Sequence, residues 1–160
     1  MKKLIFIAAL ISLFGCSFLY SAYTQDQDVN VTLRQLEGEL SNLRVPVSDI
    51  NSITPVLRNL LNQGATKGDL MNMMSSMAKK GLIGKELYTY FASMSTLIES
   101  GAEVGEAGDV VLQAIDQGLA YGFKGGDLGL TAKVQEIIEN KKAQLLEEKM
   151  KEASEKAKAK

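Results

Sequence analysis

Few side chains in this sequence have the types and spacing that catalysis needs, and the best-spaced pair is Ser76 and Lys79. Three positions apart on a helix, a serine and a lysine can act as nucleophile and base. The sequence has no further motif of a serine–lysine enzyme, and it has no histidine to activate a hydroxyl or a thiol. Its acids mark the starts of separate helices instead of converging on one cleft. We therefore expect no enzyme activity and assign no catalytic residue.

Four glycine–acid phrases are the next candidates, because such loops can hold phosphate or calcium ions. None has the Gly-x-x-x-x-Gly-Lys-Ser/Thr pattern of a phosphate loop, and none has the alternating Asp/Asn ligands of an EF-hand. With no histidine and a single cysteine, the chain also lacks the usual zinc ligands and any intrachain disulfide. We expect neither a metal nor a cofactor.

The four phrases are better explained as junctions between helices. In each, a second glycine follows after three or four positions, an acid after five and an apolar residue after six. The first glycine suits the position after a helix end, where a positive φ closes the last turn. The acid then falls in the first turn of the next helix, and the apolar residue begins its buried stripe. The phrases occupy residues 64–70, 81–87, 101–107 and 122–128.

The spacing of the phrases predicts the fold class. They start 17, 20 and 21 residues apart, which leaves room for one short helix per phrase. Two helices make a unit of 37 to 41 residues, within the ~33–47 residues of helical-hairpin repeats, but only two such pairs are evident. We therefore predict an all-α protein, a compact bundle of about five or six short helices with a charged C-terminal helix.

Residues 1–22 predict export. Two lysines precede an apolar run of eleven residues from Leu4 to Phe14, which is the pattern of a secretory signal. The segment Leu-Phe-Gly-Cys-Ser at 13–17 resembles the lipobox of bacterial lipoproteins, in which Cys16 would become the lipid-modified N-terminus. This resemblance implies a protein held at a membrane by an N-terminal lipid.

Two alternatives to lipidation stay open. The signal can be cleaved near Ser21 or Ala22 to give a soluble exported protein. It can also remain as an uncleaved span from Leu4 to Tyr23, about the ~20 residues that a bilayer needs.

Beyond the signal we expect a tether at 23–31, a helical domain at 32–138 and a charged helical tail at 139–160. A capping box of Thr32 and Gln35 begins the first helix, and Thr54-Pro55 begins the second. Gly118 permits the close approach of a neighbouring helix.

Charge is segregated between the domain and the tail. The tail holds seven lysines and five glutamates, net +2, whereas residues 24–138 carry a net charge of −5. The tail is interpreted as a solvated, fraying helix, with contact to anionic lipid or to the acidic body of another copy as the alternative.

A candidate interaction surface comes from a methionine cluster and two nearby tyrosines. Methionines form adaptable binding grooves, and tyrosines are enriched at interfaces. Core packing is the competing explanation for the methionines, because their spacing also fits a buried helical stripe. The candidate residues are Met73, Met74, Met77, Tyr88 and Tyr90.

One further phrase carries a resemblance. Residues 117–122, Gln-Gly-Leu-Ala-Tyr-Gly, are followed by a short loop and Asp127-Leu128. This phrase resembles one found in small exported bacterial helical-repeat proteins and lipoproteins of unknown function. The resemblance implies a fold of short helices and an envelope location, and it implies no activity.

The sequence therefore predicts a non-enzymatic, envelope-associated interaction or scaffolding module. It would be periplasmic or anchored through a lipid on Cys16, with another envelope protein as its partner. The alternative function is a carrier that holds a lipid or other small hydrophobic ligand in a methionine-rich helical pocket. With a net charge of −1 and no basic patch, no nucleic-acid partner is expected.

Overall fold

The computed structural model describes residues 28–158. Over this range the chain is all α-helical, which confirms the predicted fold class. None of the helices in this range is long and apolar enough to cross a membrane. The signal, Cys16 and residues 23–27 of the tether lie outside the described residues. The helices are α1 (28–42), α2 (Val47–Asn62), α3 (Lys67–Lys79), α4 (Lys85–Ser100), α5 (Val104–Ala120) and α6 (Leu128–Lys158).

The helices end as the glycine phrases predict, because the leading glycine of each of the four phrases has a positive φ. At the end of α3, the N–H of Gly81 donates to the carbonyl of Ala78 at 2.9 Å, and that of Leu82 donates to Met77 at 3.0 Å. These bonds satisfy carbonyl groups that a helix end leaves unpaired. The same pair of bonds recurs at 64–65 and at 101–102. The residue after each of these three glycines is buried, which fixes the turn to the core.

A further junction of the same kind follows α1, and the sequence analysis missed it. Arg44 has a φ of +61° in the glycine position, and the N–H of Val45 donates to the carbonyl of Leu40 at 3.0 Å. Asp49 and Ile50 then stand five and six positions on, as the acid and the apolar residue do in the other phrases. Arginine rarely takes this conformation, so a search for glycine could not find the copy.

The predicted start of the second helix was wrong. Helix α2 begins at Val47, directly after Pro46, so Thr54 and Pro55 lie inside it. A proline at this point removes one backbone hydrogen bond, that to the carbonyl of Asn51. Asn51 and Pro55 are both exposed, so water can bond the carbonyl that is left without its partner.

The start of the first helix also differs from the prediction. Residues 28–31 are already helical, so Thr32 lies within α1 and does not cap it. The apolar stripe of α1 faces the core, because Leu33, Leu36 and Leu40 are buried.

The helices form two layers. In one layer, α4 packs between α2 and α6; in the other, α3 packs on α5 and α1 lies beside α3. Side chains 36 residues apart meet within each layer: Asn59 donates to Ser95 at 2.8 Å between α2 and α4, and Lys80 pairs with Asp116 between α3 and α5. Neighbours within a layer therefore run in the same direction. The added junction at Arg44 makes the bundle three consecutive helical hairpins, α1–α2, α3–α4 and α5–α6.

This arrangement places the junctions alternately at two ends of the bundle. We call the end where α1 begins the proximal end; it also holds the junctions at 63–66 and 101–103. The distal end holds the junctions at 43–46, 80–84 and 121–127. Contacts support both groupings, because Gln63 donates to Glu99 at 3.1 Å, and a Cβ on Gly125 would lie 3.1 Å from the carbonyl oxygen of Gly81.

Helices α5 and α6 make their closest approach at Gly118. The glycine is buried, and a Cβ at this position would overlap Cδ1 of the buried Leu130. The prediction that Gly118 admits a neighbouring helix is therefore confirmed. Leu130, and not Leu128 as the repeated phrase predicted, begins the buried stripe of α6, because Leu128 is 87% exposed.

We expect Gly118→Ala to destabilise the protein by about 1–3 kcal/mol, because the added methyl group forces Leu130 out of its position. The matched control is Gly108→Ala on the same helix, where the added Cβ would meet only Met94 Cε at 3.8 Å. That change should be neutral or stabilise by up to about 1 kcal/mol, since alanine is the better helix former. Urea unfolding of both variants measures the difference, and equal effects would refute the close-approach argument.

Candidate interaction grooves

The structure separates the residues of the predicted interaction surface. Met73, Met74, Met77 and Tyr90 are each at most 3% exposed, whereas Tyr88 is 44% exposed. The four buried residues are therefore core residues with almost no exposed area, and they do not form a common surface with Tyr88; this corrects the prediction. The reason is periodicity: on α3 the methionines at 73, 74 and 77 continue the stripe begun by Leu70, and this stripe faces the core.

A groove between α1 and α3, which we call the methionine groove, is the most apolar of the larger grooves on the described surface. Its volume is about 450 Å³, within the range of sites that take small ligands or peptide side chains. Met74 reaches it from the core, and Met71 is only partly buried. The groove is lined by Glu39, Leu43, Met71, Met74, Ser75, Ala78 and Lys79.

Two short stripes build this groove. On α3, the positions 71, 74, 75 and 78 follow helical spacing and run beside the core stripe. The facing wall is formed by Glu39 near the end of α1 and by Leu43 directly after this helix. The floor is therefore apolar and partly sulfur-containing, and one acid and one lysine stand among its lining residues.

Tyr88 lies in a second groove, between α4 and α6 on the opposite layer. This groove has a volume of about 440 Å³, and side chains that carry hydroxyl groups make up half of its lining. Two of those hydroxyls are already engaged, because Ser93 donates to the carbonyl of Thr89 at 2.9 Å and Thr96 donates to that of Ala92 at 3.0 Å. The second groove thus offers less apolar surface and fewer free donors than its size suggests.

The Ser76 and Lys79 pair does not form a common site. Ser76 lines a small groove between α3 and α5 of about 190 Å³, whereas Lys79 lines the methionine groove on the other side of α3. No group of three or more acids or cysteines within the described range is arranged to hold a metal ion. Cys16, the predicted lipidation site, lies outside the described residues.

Tyr90 is buried near the distal end of the bundle, close to Glu86 and Thr131. Its hydroxyl is buried and has no hydrogen-bond partner among the described residues. Burial, with a smaller contribution from the nearby carboxylate of Glu86, raises the pKa of Tyr90 to about 12, while the neighbouring Thr131 side chain acts in the opposite direction. Glu86 itself accepts the N–H of Gly126 in the α5–α6 loop. Burial and the carboxylate of Asp127 raise the pKa of Glu86.

Comparisons of the chain with protein-family models, curated proteins and solved structures return no match. The grooves and the charge distribution of the chain itself are therefore the features that bear on function.

The groove residues that sequence reasoning missed are Met71, Ser75, Ala78, Glu39 and Leu43. Met71 belongs to the methionine cluster, so the high density of methionine in this segment was a signal that could have identified it. Its exposure depends on α1 lying beside α3, and no local pattern gives that pairing.

Two acids should give opposite pH dependences of stability. The pKa of Glu86 is raised above 4.5, so its stabilising contribution is complete below that value and is lost as the pH rises through the folded pKa. The pKa of Asp69 is lowered below 3.8 by hydrogen bonds from the hydroxyl and the backbone N–H of Thr66, so its contribution is present above that value and is lost as the pH falls through the folded pKa.

We therefore expect Glu86→Gln to gain stability relative to the wild type between about pH 3 and pH 7, because the amide oxygen can still accept the Gly126 N–H without a buried charge. Asp69→Asn should lose stability relative to the wild type over the same interval. Urea midpoints measured across the interval test both signs. Parallel curves for the two variants would contradict the assigned causes.

Proposed function

We propose that the protein is a non-enzymatic, exported module that holds an apolar segment of another envelope protein in the methionine groove. The supporting observation is the groove itself: an apolar floor of Met71, Met74 and Ala78 that lies open between two helices. Helical segments commonly dock in such grooves through apolar side chains at helical spacing. Methionines suit this role because their flexible side chains adjust to different partners.

The charged residues of the groove favour a peptide. Glu39 and Lys79 both line it. A segment with apolar side chains in the groove, and one positive and one negative side chain beside them, would pair with both residues. The N-terminal signal supports the envelope location of such a partner.

A carrier of a small hydrophobic ligand is the second candidate, because a volume of about 450 Å³ can also take part of an acyl chain. The groove is open along its length and includes charged residues, which leaves much of an acyl chain in water. Mass spectrometry of lipid extracted from the purified protein separates the two: a stoichiometric lipid that Ala78→Trp removes would favour the carrier.

Filling the groove should abolish partner binding. With a photo-crosslinking amino acid at Ser75, we expect one envelope protein to be captured in intact envelopes, and Ala78→Trp should remove the product. A tryptophan in the groove occupies the space of the partner side chains and should cost ~2 kcal/mol or more of binding free energy, the size of a hot-spot loss. Yield of the specific product on gels is the measurement.

The matched control uses the groove between α4 and α6. Ala92 and Ser93 line that groove and are partly buried, as is Ala78 in the methionine groove, whereas Ser75 is exposed. A crosslinker at Ser93 should not capture the same protein, and Ala92→Trp should leave the Ser75 product unchanged. If both crosslinkers give the same product, or if Ala92→Trp removes it as well, the methionine groove is not the binding site.

The mode of export is tested separately by the intact mass of the protein purified from its native envelope. Modification of Cys16 predicts a diacylglyceryl mass increment that is absent from Cys16→Ala. An unmodified mass beginning near Ala22 or Tyr23 would instead make the protein a soluble exported module and would eliminate the lipid anchor.

A further inference from the structure

The N-terminal segment and the end of α6 leave the bundle at the same end. Helix α1 begins at the proximal end, where Arg58 near the end of α2 donates to Asn30 at 2.8 Å. Helix α6 starts at the distal end and runs back to the proximal end, where the side chain of Lys149 lies against Gly101 in the α4–α5 junction. The start of α1 and the end of α6 therefore lie at the same end of the bundle.

Helix α6 is too long for the bundle. It has 31 residues, whereas α4 beside it and α2 in the same layer have 16 each. Leu145 is its last buried residue, and residues 146–157 are all exposed. From Lys149 to Lys158 the helix extends beyond the proximal end by roughly 14 Å. We call residues 149–160 the projecting tail.

The projecting tail differs from the bundle in charge. It holds five lysines and two glutamates, net +3, although the chain as a whole has a net charge of −1. On the apolar side of this helix, Leu146 and Met150 are exposed four residues apart, and Ala153 and Ala157 continue the row. A basic helix with an exposed apolar row has the character of a segment that lies on an anionic membrane surface.

We propose that the projecting tail binds anionic lipid headgroups of the membrane at which the protein is held. The shared end supports this choice of partner, since the predicted signal or lipid attachment at residues 1–22 precedes α1 in the chain, and α1 begins at the proximal end. The inference rests on the envelope location in the proposed function. The acidic bundle is repelled by anionic lipid, so attraction confined to the tail orients the proximal end towards the bilayer.

The test follows the tail in the protein purified from its native envelope and reconstituted into vesicles. Ser154→Cys, on the exposed part of α6, carries an environment-sensitive dye; in the lipid-anchored form the thiol of Cys16 is blocked and does not react. The vesicles contain phosphatidylcholine alone or phosphatidylcholine with phosphatidylglycerol. We expect the dye to report contact with lipid only in the anionic vesicles, and high salt to abolish it.

Neutralising the tail lysines gives the decisive comparison. In the triple variant Lys151→Gln, Lys156→Gln and Lys158→Gln, the ratio of bound to free tail should fall by roughly 100-fold, because each lysine near an anionic surface contributes about a factor of five. The control neutralises Lys85, Lys124 and Lys133 at the distal end, which changes the net charge equally and should leave the ratio unchanged. Circular dichroism checks that both variants keep their helix content.

Three results would overturn the inference. The first is an equal dye response to neutral and anionic vesicles. The second is a distal control that loses the response as fully as the tail variant. The third is a dye response to envelope proteins added in a separate experiment, with none to phosphatidylglycerol. Because the vesicles contain no other protein, a negative result leaves the methionine-groove proposal standing. A failure to crosslink at Ser75 likewise leaves the membrane contact of the tail untouched.

Discussion

Each reversal of the chain depends on closing a helix end without leaving carbonyl groups unpaired. A residue in the left-handed conformation allows its own N–H group and that of the following residue to bond back into the last turn, and the following residue then enters the core. Leu82, Val45, Ala65 and Ala102 occupy that position at four successive junctions and are all buried. Backbone hydrogen bonding and apolar burial thus act on the same two residues, so the direction of each following helix is fixed where the previous one ends.

The regular spacing of these turns produces the layers. Equivalent turns stand 37 residues apart between Arg44 and Gly81 and between Gly64 and Gly101. Successive hairpins therefore repeat their contacts, as the pairs of Asn59 with Ser95 and Lys80 with Asp116 show. Helices within a layer run parallel, and the space between two of them becomes a groove open to solvent. The methionine groove and the groove that holds Tyr88 both arise in this way, on opposite layers.

The two ends of the bundle are chemically different for the same topological reason. Six helices return the chain to the end where α1 begins, so α6 passes the proximal end and continues into solvent. The distal end instead has the longest loop, held by Glu86 through the N–H of Gly126. Charge follows this division, since the lysines concentrate on the segment that leaves the bundle and the acids remain on the body. A groove along the layers and a basic helix at one end are consequently separate features that separate experiments can address.

The sequence alone determined the helical class, the glycine junctions and most buried stripes, because turn closure and amphipathic periodicity are local properties. It missed the turn at Arg44 and began α2 at Pro55 instead of Val47, since arginine at a positive φ and a proline inside a helix are each locally unfavourable. Only the tertiary structure decided those positions, because buried neighbours such as Val45 and Ile53 compensate for the local cost. It also decided that Met73, Met74 and Met77 belong to the core while Met71 reaches a groove: methionine suits both environments, and the choice depends on which helix lies alongside.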